Sequence, residues 1–224
     1  MLRNKELIVN FSGGKDSTAL VLKLLEKGYE IDKVVRIDFG IDYPEIYKHC
    51  LDVEKYCKEK YDFDNFITID LREKWIDGLI NKGFPSHNLR WCTGYKVQAL
   101  KKICENPCYH AIGIAFDESN RMDISDKKSR IQIYPLIDWE MTEQDCLNYC
   151  KSLGFNFYNL YEKRKRVSCF CCPFSKNSDV LIMPTELQER IKYFEKISNP
   201  RFNTNMFYNE SFQERYDRLV GDQK

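Results

Sequence analysis

FSGGKDST, residues Phe11–Thr18, stands between two apolar runs, LIVN at Leu7–Asn10 and ALVLKLL at Ala19–Leu25. The first run is short enough to be a buried strand, and the second has the length and apolar spacing of a helix. A strand, a turn with two glycines and a helix make the first half of a βαβ unit, and the pattern repeats downstream. Strand-like runs follow at KVVRIDFG (33–40), NFITIDL (65–71) and YHAIGIAF (109–116), with helix-like stretches at about 16–27, 43–60 and 94–105. This alternation predicts an α/β fold, a Rossmann-like parallel sheet flanked by helices. Right-handed crossovers put the strand C-termini on one edge, where such sheets bind ligands. FSGGKDST, DFGIDYPE and IAFDESNR all fall at that edge.

The pattern changes after IQIYPLIDW. DWEMTEQDCLNYC reads as a helix with Thr142 as N-cap and Asp145 at the third helical position. An aromatic, basic segment, FNFYNLYEKRKRVSCFCCPFSK, comes next, then a helix over TELQERIKYFEKI and a polar C-terminal stretch with helical character. The expected organisation is an α/β domain over 1–140, with a helical, cysteine-containing extension over 141–224 packed on it.

Bulk composition narrows the class. The chain has 224 residues and is 43% hydrophobic, enough for a sizeable core. Lys plus Arg number 35 against 34 Asp plus Glu, so net charge points to no partner, although a local basic patch can still meet nucleic acid. The N-terminal residues have no signal-peptide pattern, and no run approaches the ~20 apolar residues of a membrane span. The expectation is a soluble, cytoplasmic protein with no membrane partner; its oligomeric state is not legible. Ten cysteines are many for a reducing compartment, where disulfides are a poor explanation. Cys50 and Cys57, and Cys146 and Cys150, lie at helical spacings and read as core. Cys104 and Cys108 read as packing at a helix end. Trp91 and Trp139 read as packing too. Cys169, Cys171 and Cys172 are too close together for that explanation alone.

The glycine turn has the chemistry of a pyrophosphate cradle. Gly13 and Gly14 let backbone N–H groups approach an anion with no Cβ in the way. The following helix adds its N-terminal dipole. Ser12, Ser17 and Thr18 supply hydroxyls, and Lys15 supplies a positive charge. The spacing is neither that of a Walker A loop nor Gly-x-Gly-x-x-Gly.

SGGKDST resembles the signature of the PP-loop ATP pyrophosphatases, the adenine nucleotide alpha hydrolases. The resemblance narrows along the chain to the phosphoadenosine phosphosulfate (PAPS) reductase-like family. RIDFGIDYPEIYKHC is similar to that family's second-strand motif, with Phe39 in place of a threonine. GIAFDESNR is similar to its Gly-Ile-Arg…Ser-x-x-Arg loop, with Ala115 where the first arginine would be and Arg121 matching the last. YPLIDWEMTEQDC and NFYNLYEKRKRVSCFCCP match two further segments. The resemblance runs from about Glu6 to Phe174.

What it implies is an ATP-using enzyme that cleaves between the α and β phosphates and adenylylates an acceptor. Ser12, Gly13, Gly14, Lys15, Asp16, Ser17, Thr18, Asp38 and Phe39 would bind the nucleotide. Lys15 and Asp16 would take part in catalysis, with Asp16 as a ligand of Mg²⁺. RWCTGYK (90–96) lies where cluster-binding members carry Cys-Cys…Lys, so Cys92, Cys169 and Cys172 would hold a [4Fe-4S] cluster, with zinc as the alternative metal. Cys171 is either a fourth ligand or a persulfide-carrying nucleophile. Lys96 would be catalytic, and Arg90, Lys96 and Arg121 would bind substrate. A sulfur donor and a nucleobase or small-molecule acceptor would complete a thiolation. Two other functions stay open. Sulfonucleotide reduction is one, although no cysteine follows Cys172 to serve as the family's C-terminal nucleophile. A nucleotide-binding subunit of a nucleic-acid modification or defence complex is the other.

Overall fold

The computed structural model describes residues 5–103, 107–122, 130–167 and 169–222. In chain order the elements are β1 (Leu7–Asn10), α1 (Lys15–Glu26), β2 (Lys33–Asp38), α2 (Pro44–Tyr61), β3 (Phe66–Asp70), α3 (Arg72–Lys82), α4 (Trp91–Ile103), β4 (Cys108–Ala111), a 3₁₀ turn (Phe116–Arg121) and β5 (Arg130–Ile133). Then come α5 (Pro135–Asp138), α6 (Glu143–Ser152), a tight turn (Phe157–Asn159), α7 (Leu160–Lys163), α8 (Asn177–Leu181), α9 (Thr185–Ile197) and α10 (Phe212–Gly221).

The five strands form one parallel sheet in the order β3-β2-β1-β4-β5. β1 is central: Val9 is in register with Val34 on one side and Ala111 on the other. Leu7, Ile8 and Val9 are buried, as a strand covered on both faces requires. β1 leads to β2 on one side, while β4 lies on the other, so the strand order reverses beside β1. Such a reversal opens a crevice at the C-terminal ends of the strands, just where the glycine turn leaves β1.

The fold class is the α/β, Rossmann-like sheet expected, but the chain divides differently. One compact unit comprises Met1–Ile37, Pro44–Ile69 and Ala99–Lys163; the second comprises Asp38–Tyr43, Asp70–Gln98 and Arg164–Lys224. Residues 141–163, expected to begin the C-terminal extension, fall in the first unit. The reason is α6, which packs on α1 through the fully buried Cys146 and Cys150. Thr142 and Asp145 form the expected capping box at its start.

The second unit is built on aromatic rings. Trp75 of α3 meets Trp91 at 5.2 Å and Phe194 at 5.8 Å between centroids, and Phe170 stacks on Phe194. α3 lies outside the helix-like stretches read from the sequence, and it carries a glycine, Gly78, in its interior. The structure shows why a glycine sits there: the Trp91 ring occupies the space that a Cβ on residue 78 would fill. Trp91 therefore packs in the core, and its indole N–H donates to the Gly83 carbonyl at 3.1 Å.

Cys50, Cys57, Cys146 and Cys150 are buried and stand outside any disulfide, in keeping with their spacing. Cys108 is buried too, but it is disulfide-bonded, against expectation; Cys104 lies outside the described residues. β4 is shorter than the YHAIGIAF run, since IAF leaves the sheet for a loop and the 3₁₀ turn. Among the described residues no helix is long and apolar enough to cross a membrane.

Candidate functional site

The first unit carries the glycine turn. Gly13 sits at φ +75°, a conformation open to glycine. A Cβ there would lie 2.7 Å from Cys50 Sγ and 2.8 Å from Ile46 Cγ2, so helix α2 leaves no room for a side chain. The turn is tied by short bonds. The Ser12 amide donates to Ser17 Oγ at 3.1 Å, and Ser17 Oγ donates to the Gly14 carbonyl at 3.0 Å. The Lys15 amide donates to the phenol oxygen of Tyr161 at 2.9 Å. Thr18 Oγ1 is 2.9 Å from Nε2 of His49, a fully buried imidazole. Burial lowers the His49 pKa to about 4, against a small opposing pull from Asp52, and keeps the ring neutral. From β4, Gly113 comes so close that a Cβ on it would be 2.9 Å from the Ser17 backbone.

Beside the turn, Lys15 and three carboxylates form one network. Lys15 Nζ is 2.9 Å from Glu143 Oε1 and 3.3 Å from Asp16 Oδ2. Burial alone would lower the Lys15 pKa, but Asp16 and Glu143 outweigh it and hold the ammonium above its usual range. Asp16 moves the other way. Burial, with the nearby Glu143 and Glu118 charges, outweighs Lys15 and raises its pKa to about 6. Its Oδ1 is buried and has no hydrogen-bond partner among the described residues. Asp16, Glu118 and Glu143 each bring a carboxylate oxygen to within 4.8 Å of the others, close enough for one cation to bridge them. Arg121, a residue expected to bind substrate, is exposed and ion-paired with Glu118.

The second unit carries the cysteine site. Lys96 of α4 lies among Cys169, Asp42, Cys92 and Cys172, and attraction to this set, Cys169 foremost, holds its ammonium above the usual lysine range against the opposing effect of burial. Cys169 and Cys172 close a turn in which the Cys172 amide donates to the Cys169 carbonyl at 3.1 Å, the backbone form that aims a Cys-x-x-Cys pair at one point. Burial pushes the Cys169 thiol up to about 12. Cys171 was expected as a fourth ligand or a nucleophile. It is 1% exposed, and burial pushes its thiol well above the usual range, the opposite of the accessible thiolate that a persulfide carrier needs.

Asp38 and Phe39, expected at the nucleotide, belong to this second unit. The Asp38 carboxylate accepts the Gly40 amide at 2.6 Å, while the buried Phe39 ring packs on Trp75 at 6.1 Å and has Lys96 Nζ 5.7 Å from its centre. Arg90 is exposed, with its guanidinium 5.1 Å from the Phe174 ring centre. In EKRKR, Arg164 is buried over Tyr43 at 4.6 Å and donates to the Ile182 carbonyl, whereas Lys165 and Arg166 are exposed.

Glu118, Glu143, Tyr161, His49, Gly113 and Asp42 were not singled out from sequence. Glu143 and Tyr161 lie in motifs the sequence reading quoted, so the signal was present. Position in a motif does not say which of its side chains turns towards the glycine loop.

Comparison with known proteins agrees with this architecture. An uncharacterized protein of Methanocaldococcus jannaschii is 32% identical over 184 residues, which is 75% of this chain and 36% of that protein. The chain thus spans about a third of the length of this relative. The U34-tRNA thiolase NcsA of Methanococcus maripaludis, solved with its [4Fe-4S] cluster, has the same fold, with a TM-score of 0.51 at 17% identity over 98% of this chain and 72% of NcsA. A predicted subunit of tRNA methyltransferase from Methanocaldococcus jannaschii aligns over 91% of this chain and 92% of its own with a TM-score of 0.41 at 19% identity. The sequence pattern of the phosphoadenosine phosphosulfate reductase domain matches residues 6–175, about three quarters of the chain, and the protein belongs to that family.

Proposed function

We propose that this protein is a cytoplasmic, ATP-dependent thiolase that adenylylates a carbonyl oxygen of a nucleobase in RNA and replaces that oxygen with sulfur. The observation that carries the reading is one family chain holding both a glycine cradle ringed by Lys15 and carboxylates and a cysteine trio around a half-buried lysine. The shared fold of a tRNA thiolase supports the choice of acceptor.

Gly13, Gly14 and the start of α1 bind the triphosphate through backbone N–H groups, with Ser12, Ser17 and Thr18 around them. Asp16, Glu118 and Glu143 would hold Mg²⁺: their hard oxygens, one of them buried without a partner among the described residues, fit a hard cation. The acceptor oxygen attacks the α-phosphorus, the α–β bridging bond breaks and pyrophosphate leaves. Lys15 stabilises the charge that develops on the leaving group. Sulfide from a sulfur donor then adds to the activated carbon, and AMP departs with the oxygen. The step needs no oxidant or reductant.

Cys92, Cys169 and Cys172 fit a [4Fe-4S] cluster by donor type. They are soft, partly exposed sulfurs with the Lys96 cation to offset thiolate charge. Held by three cysteines, such a cluster supplies one iron open to sulfide. Arg90 and Arg121 contribute charge for the acceptor strand.

The test is product analysis with α-labelled ATP, Mg²⁺, sulfide and bulk RNA. AMP and pyrophosphate should appear in equal amounts, and Lys15→Ala should lower the rate about 100-fold, as loss of one charge-stabilising group does. ADP and phosphate as products would contradict the reading.

A further inference from the structure

We infer that Phe174, with His87 and Arg90, forms a stacking platform for an unstacked base of single-stranded RNA beside the cysteine site. This rests on the reading of RNA as acceptor and says which side chains receive the base. His87 and Phe174 lie 4.1 Å apart between ring centres, and the Arg90 guanidinium lies 5.1 Å from the Phe174 ring centre. The two rings are inclined at 60° to one another, and the three planar groups form one cluster around the Phe174 ring. All three residues are exposed, and Phe174 leaves 40% of its surface in solvent.

The cluster is exposed and stands apart from the buried rings of this unit. The aromatic core of this unit is made by Trp75, Phe84, Trp91, Phe170 and Phe194, all buried. An exposed phenyl ring with a guanidinium beside it is what single-stranded nucleic-acid sites use, because every base has a π-face and the cation adds attraction to the phosphates.

The platform is also held in place. In the loop before α4, the Ser86 amide donates to the Leu89 carbonyl and the Leu89 amide donates to Ser86 Oγ, which closes a turn under His87 and Arg90. Across the ring, the Ser175 amide donates to the Cys172 carbonyl at 3.0 Å and closes the turn that carries Phe174. Arg90 stands two residues before Cys92, and Phe174 stands two residues after Cys172. The cluster therefore joins the two cysteine-bearing segments, so a base stacked on Phe174 is held beside them. The exposed Lys176, two residues beyond Phe174, adds a further charge for the backbone.

The experiment is fluorescence anisotropy of the full chain, without ATP, on a labelled 15-nucleotide single-stranded RNA of mixed sequence. Phe174→Ala should weaken binding about tenfold, the value of one stacked base. Phe174→Trp should restore it, and Arg90→Ala should lower the slope of log affinity against log salt by about one unit. Binding by Phe174→Ala equal to the parent protein, or Phe174→Trp as weak as Phe174→Ala, would overturn the platform. Tighter binding of single-stranded DNA of the same sequence would overturn RNA as its occupant. AMP release is read separately. RNA binding through Phe174 without AMP formation would leave the platform standing and remove the adenylylation, and AMP formation with RNA affinity indifferent to Phe174 would do the reverse.

Discussion

Gly13→Ala is expected to abolish useful nucleotide turnover while the chain still folds. Two costs add at this residue. The φ of +75° is strained for any residue with a Cβ, by roughly 1–2 kcal/mol. The new methyl would also meet Cys50 Sγ at 2.7 Å and Ile46 Cγ2 at 2.8 Å, and overpacking of this kind costs about 1–3 kcal/mol. Relief comes only by moving the turn away from α2, which shifts the N–H groups that would hold the phosphates. A displacement worth about 3 kcal/mol lowers ATP affinity about 100-fold. Gly14→Ala is the control for fold. Gly14 has an ordinary φ of −78°, and its Cβ would find only the Tyr161 hydroxyl at 3.5 Å and Ser12 Oγ at 3.6 Å. ATP titration and thermal melting of both variants check this. Gly13→Ala should lose ATP binding and several degrees in Tm, and Gly14→Ala should melt like the parent. Unchanged ATP affinity in Gly13→Ala would contradict the cradle.

Acid should destabilise the protein through His49. In the unfolded chain this imidazole titrates near its ordinary 6.5, and in the fold its pKa is about 4. Between those values the unfolded state binds the proton and the folded state does not, so stability falls as pH drops from 6.5 towards 4 and levels off below. The full effect is about 3 kcal/mol, a large share of what holds a domain together. Asp16 works in the opposite sense. Its raised pKa makes the folded state the better proton acceptor between 3.8 and about 6, so it favours the fold on acidification. The His49 term is isolated by comparison with His49→Gln, which has no titrating ring. Urea midpoints at pH 7.5 and 4.5 should separate strongly for the parent and much less for the variant. Equal pH dependence in the two proteins would show that His49 is not held neutral. The same ring positions Thr18 at the glycine turn, so the acid loss should be accompanied by weaker ATP binding.

What the sequence made legible followed local rules. FSGGKDST read as strand, turn and helix because glycines and an apolar period are local signals, and the capping box at Thr142 was readable for the same reason. Cys146 and Cys150 read as core from helical spacing alone. The misses were long-range. Nothing local to WEMTEQDC says that Glu143 meets Lys15, 128 residues earlier. α3 was missed; it carries Gly78, and the ring that fills the space beside that glycine, Trp91, lies thirteen residues on. α6 follows a change in pattern near 140 yet packs on α1, a contact that no local signal announces. Cys171 read as reactive from its crowded neighbourhood, while its burial came from the turn that Cys169 and Cys172 close around it.

The central claim is that one family chain holds both a nucleotide cradle and an iron–sulfur site, and metal content tests it most directly. The protein is purified without oxygen and analysed for iron, acid-labile sulfide and zinc, beside Cys92→Ala and Cys172→Ala. The account predicts about four irons and four sulfides per chain in the parent protein and loss of both in each variant. Zinc in place of iron, or a folded parent protein that binds ATP and holds no metal, would contradict it.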